Sequence, residues 1–209
     1  MPLPNRVDPF GAIHAVAARG TRFGNRGGRF HRQDRTLGPR PWASRQWICC
    51  VLDFRGRRRA PLMGEGYTEL FFLDEVTALA SGHRPCFECR RADANRFAAA
   101  WARARGMTAP PKAPAMDAAL HGERLDGRAK RTWLASAADL PDGTMIAIEG
   151  RALALRGVQA LPWSFGGYRP AVPRPAGAVA VLTPPTIVDV LREGFAPAWH
   201  GSVQAQAPV

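Results

Sequence analysis

Four cysteines occupy two short stretches of the chain: Cys49 and Cys50 in RQWICCVLDF, and Cys86 and Cys89 in GHRPCFECRR. Thiolates are soft donors, and a C-x-x-C turn delivers two of them to one metal ion, so residues 86 to 89 supply half of a tetrahedral site. The adjacent pair is placed to supply the rest. Successive residues of a strand point to opposite faces, so one member of the pair, with Cys50 preferred, joins Cys86 and Cys89. The fourth position stays open among Cys49, His83, His31, Asp53 and water. This donor set suits Zn2+, which would be structural if closed by protein and reactive if completed by water. A redox dithiol fits less well, because a thioredoxin-type C-x-x-C sits in a βαβ unit and this one follows a short helix and a glycine.

A second constellation lies in MDAALHGER. Asp117 and His121 stand at i, i+4 and share a helix face, Glu123 is nearby, and Arg124, Arg128, Lys130 and Arg131 follow. Such a set can hold a divalent ion or supply a general base beside a phosphate clamp, as a nuclease requires. Nucleophile and metal motifs such as G-x-S-x-G and H-E-x-x-H are absent.

Charge points to a polyanionic partner. The net charge is +12 and the isoelectric point about 11.1. Residues 1 to 60 hold thirteen arginines against Asp8, Asp34 and Asp53, and so carry ten of those twelve charges. Each phosphate contact releases condensed counterions, so clustered arginine favours nucleic acid, DNA ahead of RNA. The expected contacts are Arg22, Arg26, Arg29, Arg32, Arg55, Arg57, Arg58, Arg59, Arg90 and Arg91. Phe23, Phe30 and His31 interleave with arginines, either to stack on bases or to pin the segment down as buried anchors.

The elements that must position these groups make an α+β protein: a small zinc-knuckle module followed by a small β-rich unit. Residues 1–40 read as a basic Gly/Arg-rich arm without an apolar face. Residues 41–106 read as the zinc module, with strands at RQWICCVLDF and YTELFFL. In the same module Asp74 caps a short helix that ends at Gly82, and an amphipathic helix runs from Arg90 to Arg105 through Phe97, Ala100, Trp101 and Ala104. A proline-rich linker covers 107–116, and residues 117–200 read as short strands closed by a helix with Thr183 as its cap and Gly194 as its stop. Residues 201–209 form a tail. Four cysteines are too few for a disulfide scaffold, no secretory leader is visible, and no apolar run reaches the roughly 18 residues of a membrane span, so a cytoplasmic location is expected.

The stretch FFLDEVTALASGHRPCFECRRAD, with WICC upstream, resembles the zinc-binding N-terminal domain of the Ada DNA-repair family over residues 45–95. The resemblance implies a four-thiolate zinc site on a DNA-binding module, with Cys86 and Cys89 as the knuckle and Cys49 or Cys50 as a thiolate that accepts a methyl group from a phosphotriester. This chain departs from that pattern in having its first two cysteines adjacent, with Asp53 or Phe54 at the expected second position. GNRG and LTPP elsewhere resemble an uncharacterised bacterial family. The expected function is a zinc- and nucleic-acid-binding protein in a repair or modification setting. The competing readings are a methyl acceptor at Cys49 or Cys50, a hydrolase at Asp117, His121 and Glu123, and a zinc-stapled interaction module.

Overall fold

Among the described residues, short apolar runs separated by glycine and proline pair into two six-stranded sheets and one two-stranded hairpin, and four α-helices pack between and beside them. The computed structural model describes residues 1–57 and 61–206; Arg58 and Arg59 lie outside that range. Among the described residues no helix is long and apolar enough to cross a membrane.

In chain order the first half contains β1 (Arg6–Val7), β2 (Ile13–His14), β3 (Arg22–Arg26), β4 (Trp47–Cys50), β5 (Leu70–Phe72), α1 (Glu75–Ala80), β6 (Arg84–Pro85) and α2 (Arg91–Ala104). Its strands form one sheet in the order β2-β1-β5-β3-β4-β6. The expectation of a basic arm over residues 1–40 is therefore corrected, because β3 is an interior strand paired antiparallel to both β4 and β5. Its sequence RFGNR hides this. Gly24 sits where a Cβ would come within 2.2 Å of the Ile48 carbonyl, so the glycine marks tight strand packing and not a loop.

The second half contains α3 (Ala113–Arg124), the hairpin β7 (Leu125–Asp126) and β8 (Ala129–Lys130), then β9 (Trp133–Ser136), β10 (Met145–Ile148), β11 (Arg151–Arg156), β12 (Gln159–Pro162), β13 (Val172–Pro173), β14 (Ala178–Val181) and α4 (Pro185–Arg192). The second sheet runs β13-β12-β11-β10-β14-β9. The run around WSFGGY is not one of its strands. Thr183 is not the cap of α4 either: Pro184 holds that position, and the Thr183 hydroxyl instead accepts from the Met145 amide at 2.9 Å.

The core crosses the segment read as a linker. Phe97 and Trp101 of α2 pack with Met116 and Leu120 of α3 and with Ile187, Val190 and Leu191 of α4, so the 41–106 and 117–200 units share one apolar cluster. Four residues of the proline-rich stretch, 113–116, have become the first turn of α3, where Pro114 falls at a position that needs no N–H. All six residues of α1 are buried. Ala78 packs on the first sheet with Phe72 and Cys49, and Val76 and Ala80 pack on the second with Met145 and Leu182. Asp74 caps this helix by accepting from the Thr77 amide at 2.9 Å, and its other oxygen accepts from the Tyr168 hydroxyl and the His200 amide.

Gly82 ends α1 with φ +87°, and a Cβ there would lie 2.5 Å from Cδ of Arg124. Gly82→Ala should therefore lose more than the roughly 1 kcal/mol of a left-handed alanine, because Arg124 must also move. Chemical denaturation checks this, and a loss below that figure would show that Arg124 gives way freely.

Candidate metal centre

Sheet register selects the third sulfur. β4 pairs parallel with β6 through Ile48 opposite Arg84 and Cys49 opposite Pro85, and the next step of the same register sets Cys50 beside Cys86. Neighbouring residues in a parallel ladder project from the same face, so both sulfurs meet on one side of the sheet. The turn after Cys86 is closed by the Arg90 amide donating to the Cys86 carbonyl at 3.0 Å, and it returns Cys89 to the same point. The Sγ atoms of Cys50, Cys86 and Cys89 all lie within 4.8 Å of one another, the one such cluster of metal-ligating side chains among the described residues.

The donor chemistry fits a metal ion. Sulfurs around a tetrahedral ion with metal–sulfur bonds of about 2.3 Å stand about 3.8 Å apart, inside the observed spread. Backbone amides stabilise negative charge on the sulfurs: the Glu88 N–H approaches Sγ of Cys86 at 3.4 Å, and those of Cys89 and Val51 bond to Cys86 and Cys89. Hydrogen bonds from the Cys50 and Cys89 thiols pull the Cys86 thiol far below its ordinary value, while donating those bonds pushes Cys50 up. One thiolate held by two thiols is a site ready to exchange protons for a cation. Phe23, Tyr67 and Phe71 wall the cluster, with Cys50 and Cys86 buried and Cys89 half-exposed.

None of the four protein groups considered for the last position joins the sulfurs. Cys49 points to the other face among Val7, Leu70 and Phe72, is fully buried, and is pushed up to about 12 by burial and by the Glu75 charge. His83 is buried against Trp47 and Phe72, with Nδ1 on the Ser81 hydroxyl at 2.9 Å. His31 is held by the Thr68 hydroxyl at 2.7 Å and the Gly64 carbonyl at 2.9 Å. Asp53 accepts from the Gly56 amide at 3.2 Å.

The second constellation does not converge. Asp117 is buried and takes Nε and Nη2 of Arg84 at 2.8 and 2.7 Å, Glu123 accepts from the Thr186 amide and hydroxyl, and Nδ1 of His121 accepts from Arg124. Each serves packing between elements, and no cluster of metal-ligating side chains forms there among the described residues.

The arginines divide sharply. Arg26 and Arg90 are buried, and Arg90 is neutralised by Glu75 and Asp93 at 2.7 Å each, so neither is a surface phosphate contact as expected. Arg22 is half-buried with its Nη1 on the Thr21 carbonyl, while Arg29, Arg32, Arg55, Arg57 and Arg91 are exposed. Arg57 pairs with Glu88 of the knuckle at 2.7 Å, and Arg91 opens α2 two residues past Cys89. An exposed guanidinium group thus meets the knuckle at Glu88, and a second follows the knuckle at the start of α2. Compared with protein-family models, curated proteins and solved structures, the chain matches none, which leaves the sulfur geometry and the charge beside it to speak for function.

Proposed function

We propose that Cys50, Cys86 and Cys89 hold one Zn2+ in a protein that binds nucleic acid, DNA ahead of RNA, in a repair or modification setting. The observation that carries this reading is the sulfur triad joined across two strands and a turn, with exposed Arg57 and Arg91 at its edge. Zinc bound there fastens the end of β4 to the knuckle, with water, the alternative left once the four protein groups are set aside, as its fourth ligand. The order of strand, short capped helix, knuckle and following helix is the one implied by the resemblance to the Ada zinc domain. The methyl-acceptor version of that resemblance draws no support at Cys49, whose thiol is buried on the far face of the sheet and pushed up in pKa. Cys89 is the half-exposed sulfur of the cluster, so it is the one an external electrophile would reach first.

Binding to a short DNA duplex should weaken with salt as counterion release requires. Contacts from Arg55, Arg57 and Arg91 with three phosphates give a loss of about 40-fold between 50 and 200 mM salt, at a slope of about −0.9 per phosphate. Fluorescence anisotropy reads this directly, and Arg91→Gln should lower the slope by about one unit. An affinity flat across that range would remove the nucleic-acid reading and leave a metal-stapled module.

A further inference from the structure

A second feature uses none of the sulfurs. Between the Gly11–Ile13 loop, the turn at Pro41 and Trp42, and the β7–β8 hairpin lies a cavity of about 360 Å³. Arg26, Arg124, Arg128 and Lys130 line it, and no carboxylate does. The guanidinium groups of Arg26 and Arg124 lie over the Trp47 indole, each 3.9 Å from the ring centroid. Both arginines are 1% exposed.

Among the described residues no carboxylate forms an ion pair with these cations, and Asp8 and Asp117 act on them only from a distance. Asp8 is engaged by His14 at 2.8 Å and Asp117 by Arg84 at 2.7 Å. His83, which also faces Arg26, is neutral: burial and the charges of Arg26 and Arg124 hold it well below its ordinary value, and its Nε2 accepts from Arg26. His121 accepts from Arg124 and adds no negative charge. Burial lowers the pKa of Arg26 to about 9 against the pull of the Asp8 charge, and burial with the neighbouring arginine charges lowers Arg124 to about 9 and Lys130 to about 7.

Part of the donor capacity has a structural use. Arg26 donates to the Gly11 and Pro41 carbonyls, and Arg124 to those of Gly82 and Arg45. Lys130 donates to the Ala80 carbonyl at the end of α1. The remainder is unspent, since Nε of Arg124 is buried without a partner among the described residues and an ammonium carries three donors. Converging cations in a cavity walled in part by Trp42 and Trp47 attract an anion strongly. The volume exceeds the needs of a lone tetrahedral ion and matches the smaller pockets that enclose organic ligands, which start at about 300 Å³. Phe10 and Trp42 offer an apolar wall for an organic part.

We propose that this cavity binds a phosphate monoester, its dianion held by Arg26, Arg124 and Lys130 and its organic part packed against Phe10 and Trp42. The ester is carried either by a free small molecule or by the 5′ end of a nucleic-acid strand, which present the same chemistry.

Titration calorimetry of the full chain tests this with adenosine 5′-monophosphate, adenosine, and a single-stranded oligonucleotide with and without a 5′-phosphate. The monophosphate or the phosphorylated oligonucleotide should bind, and the matched probe without phosphate should bind at least about tenfold more weakly, the equivalent of one charge-assisted hydrogen bond. Binding by the mononucleotide assigns a small-molecule site; binding by the phosphorylated strand alone assigns a strand-end site. Lys130→Met and the exposed Arg128→Gln should each weaken the phosphate-dependent binding by about tenfold, and Arg128→Gln should do so while unfolding at the wild-type temperature without ligand. Cys50→Ser should leave it intact, which separates this site from the metal centre. No phosphate-dependent binding by either probe, or full affinity in both cavity variants, would overturn the proposal and leave the cations as glue for carbonyl groups.

Discussion

Cys50→Ser should strip the protein of zinc, whereas Cys49→Ser should leave one zinc per chain. The two thiols are neighbours in sequence and differ only in the face of β4 they occupy. Cys50 lies within 4.8 Å of both knuckle sulfurs, and Cys49 lies among apolar side chains on the far face with a 3.5 Å contact from Arg90. A serine hydroxyl does not ionise near neutral pH, so it cannot replace the thiolate. Changes in the outer shell of a metal site already weaken affinity about 10–100-fold, so removal of a direct ligand must exceed that. Cys49→Ser has a different signature: it buries a hydroxyl among Val7, Leu70 and Phe72 at a cost of up to about 1–3 kcal/mol, less where Arg90 donates to it, while metal content is retained. Elemental analysis of the purified variants, with chelator competition for affinity, separates the cases. Loss of zinc from Cys49→Ser with retention in Cys50→Ser would reverse the assignment. A wild-type protein that purifies without metal and keeps full thermal stability would end it.

Strand alternation in WICC dictates that one cysteine of the pair faces away, but not which. The answer lies in the parallel register of β4 on β6, a pairing across 36 residues that no local pattern records. Elements with dense local signals were legible: the apolar spacing of α2, the Asp74 cap and Gly82 stop of α1, and the WICC strand. β3 was not, because its burial rests on long-range partners. Gly24 is small to admit Ile48, and Arg26 is buried over Trp47, so residues that read as a flexible basic arm are interior. The same blindness affected charge. Arg90 reads as a phosphate contact until Glu75 and Asp93 are seen beside it, and Asp117 reads as a metal ligand or general base until Arg84 is.

That last pair carries the largest expected loss of stability. Asp117→Ala should destabilise the protein by about 3–5 kcal/mol, the cost of leaving a buried charge without its partner. The Arg84 side chain is 2% exposed and that of Asp117 9%, and the guanidinium meets both carboxylate oxygens, at 2.8 and 2.7 Å. Against a total of about 5–15 kcal/mol for a natural domain, such a loss brings a large share of molecules near unfolding. The pair also ties β6, the strand leading into the knuckle, to α3, so a loosened Arg84 should release Cys86 from its register with Cys50. Zinc affinity should fall in Asp117→Ala although no ligand has changed. Arg84→Met combined with Asp117→Leu should recover much of the stability, because an apolar pair removes both charges together. His121→Ala is the control: its half-buried ring should cost little, whereas the hydrolase reading makes both residues equally necessary. Denaturant unfolding of the wild type, Arg84→Met, Asp117→Leu and the double variant gives the coupling energy directly. A cost below about 1 kcal/mol for Asp117→Ala, smaller than a median mutation, would mean that Arg84 finds water or another acceptor once the carboxylate is gone.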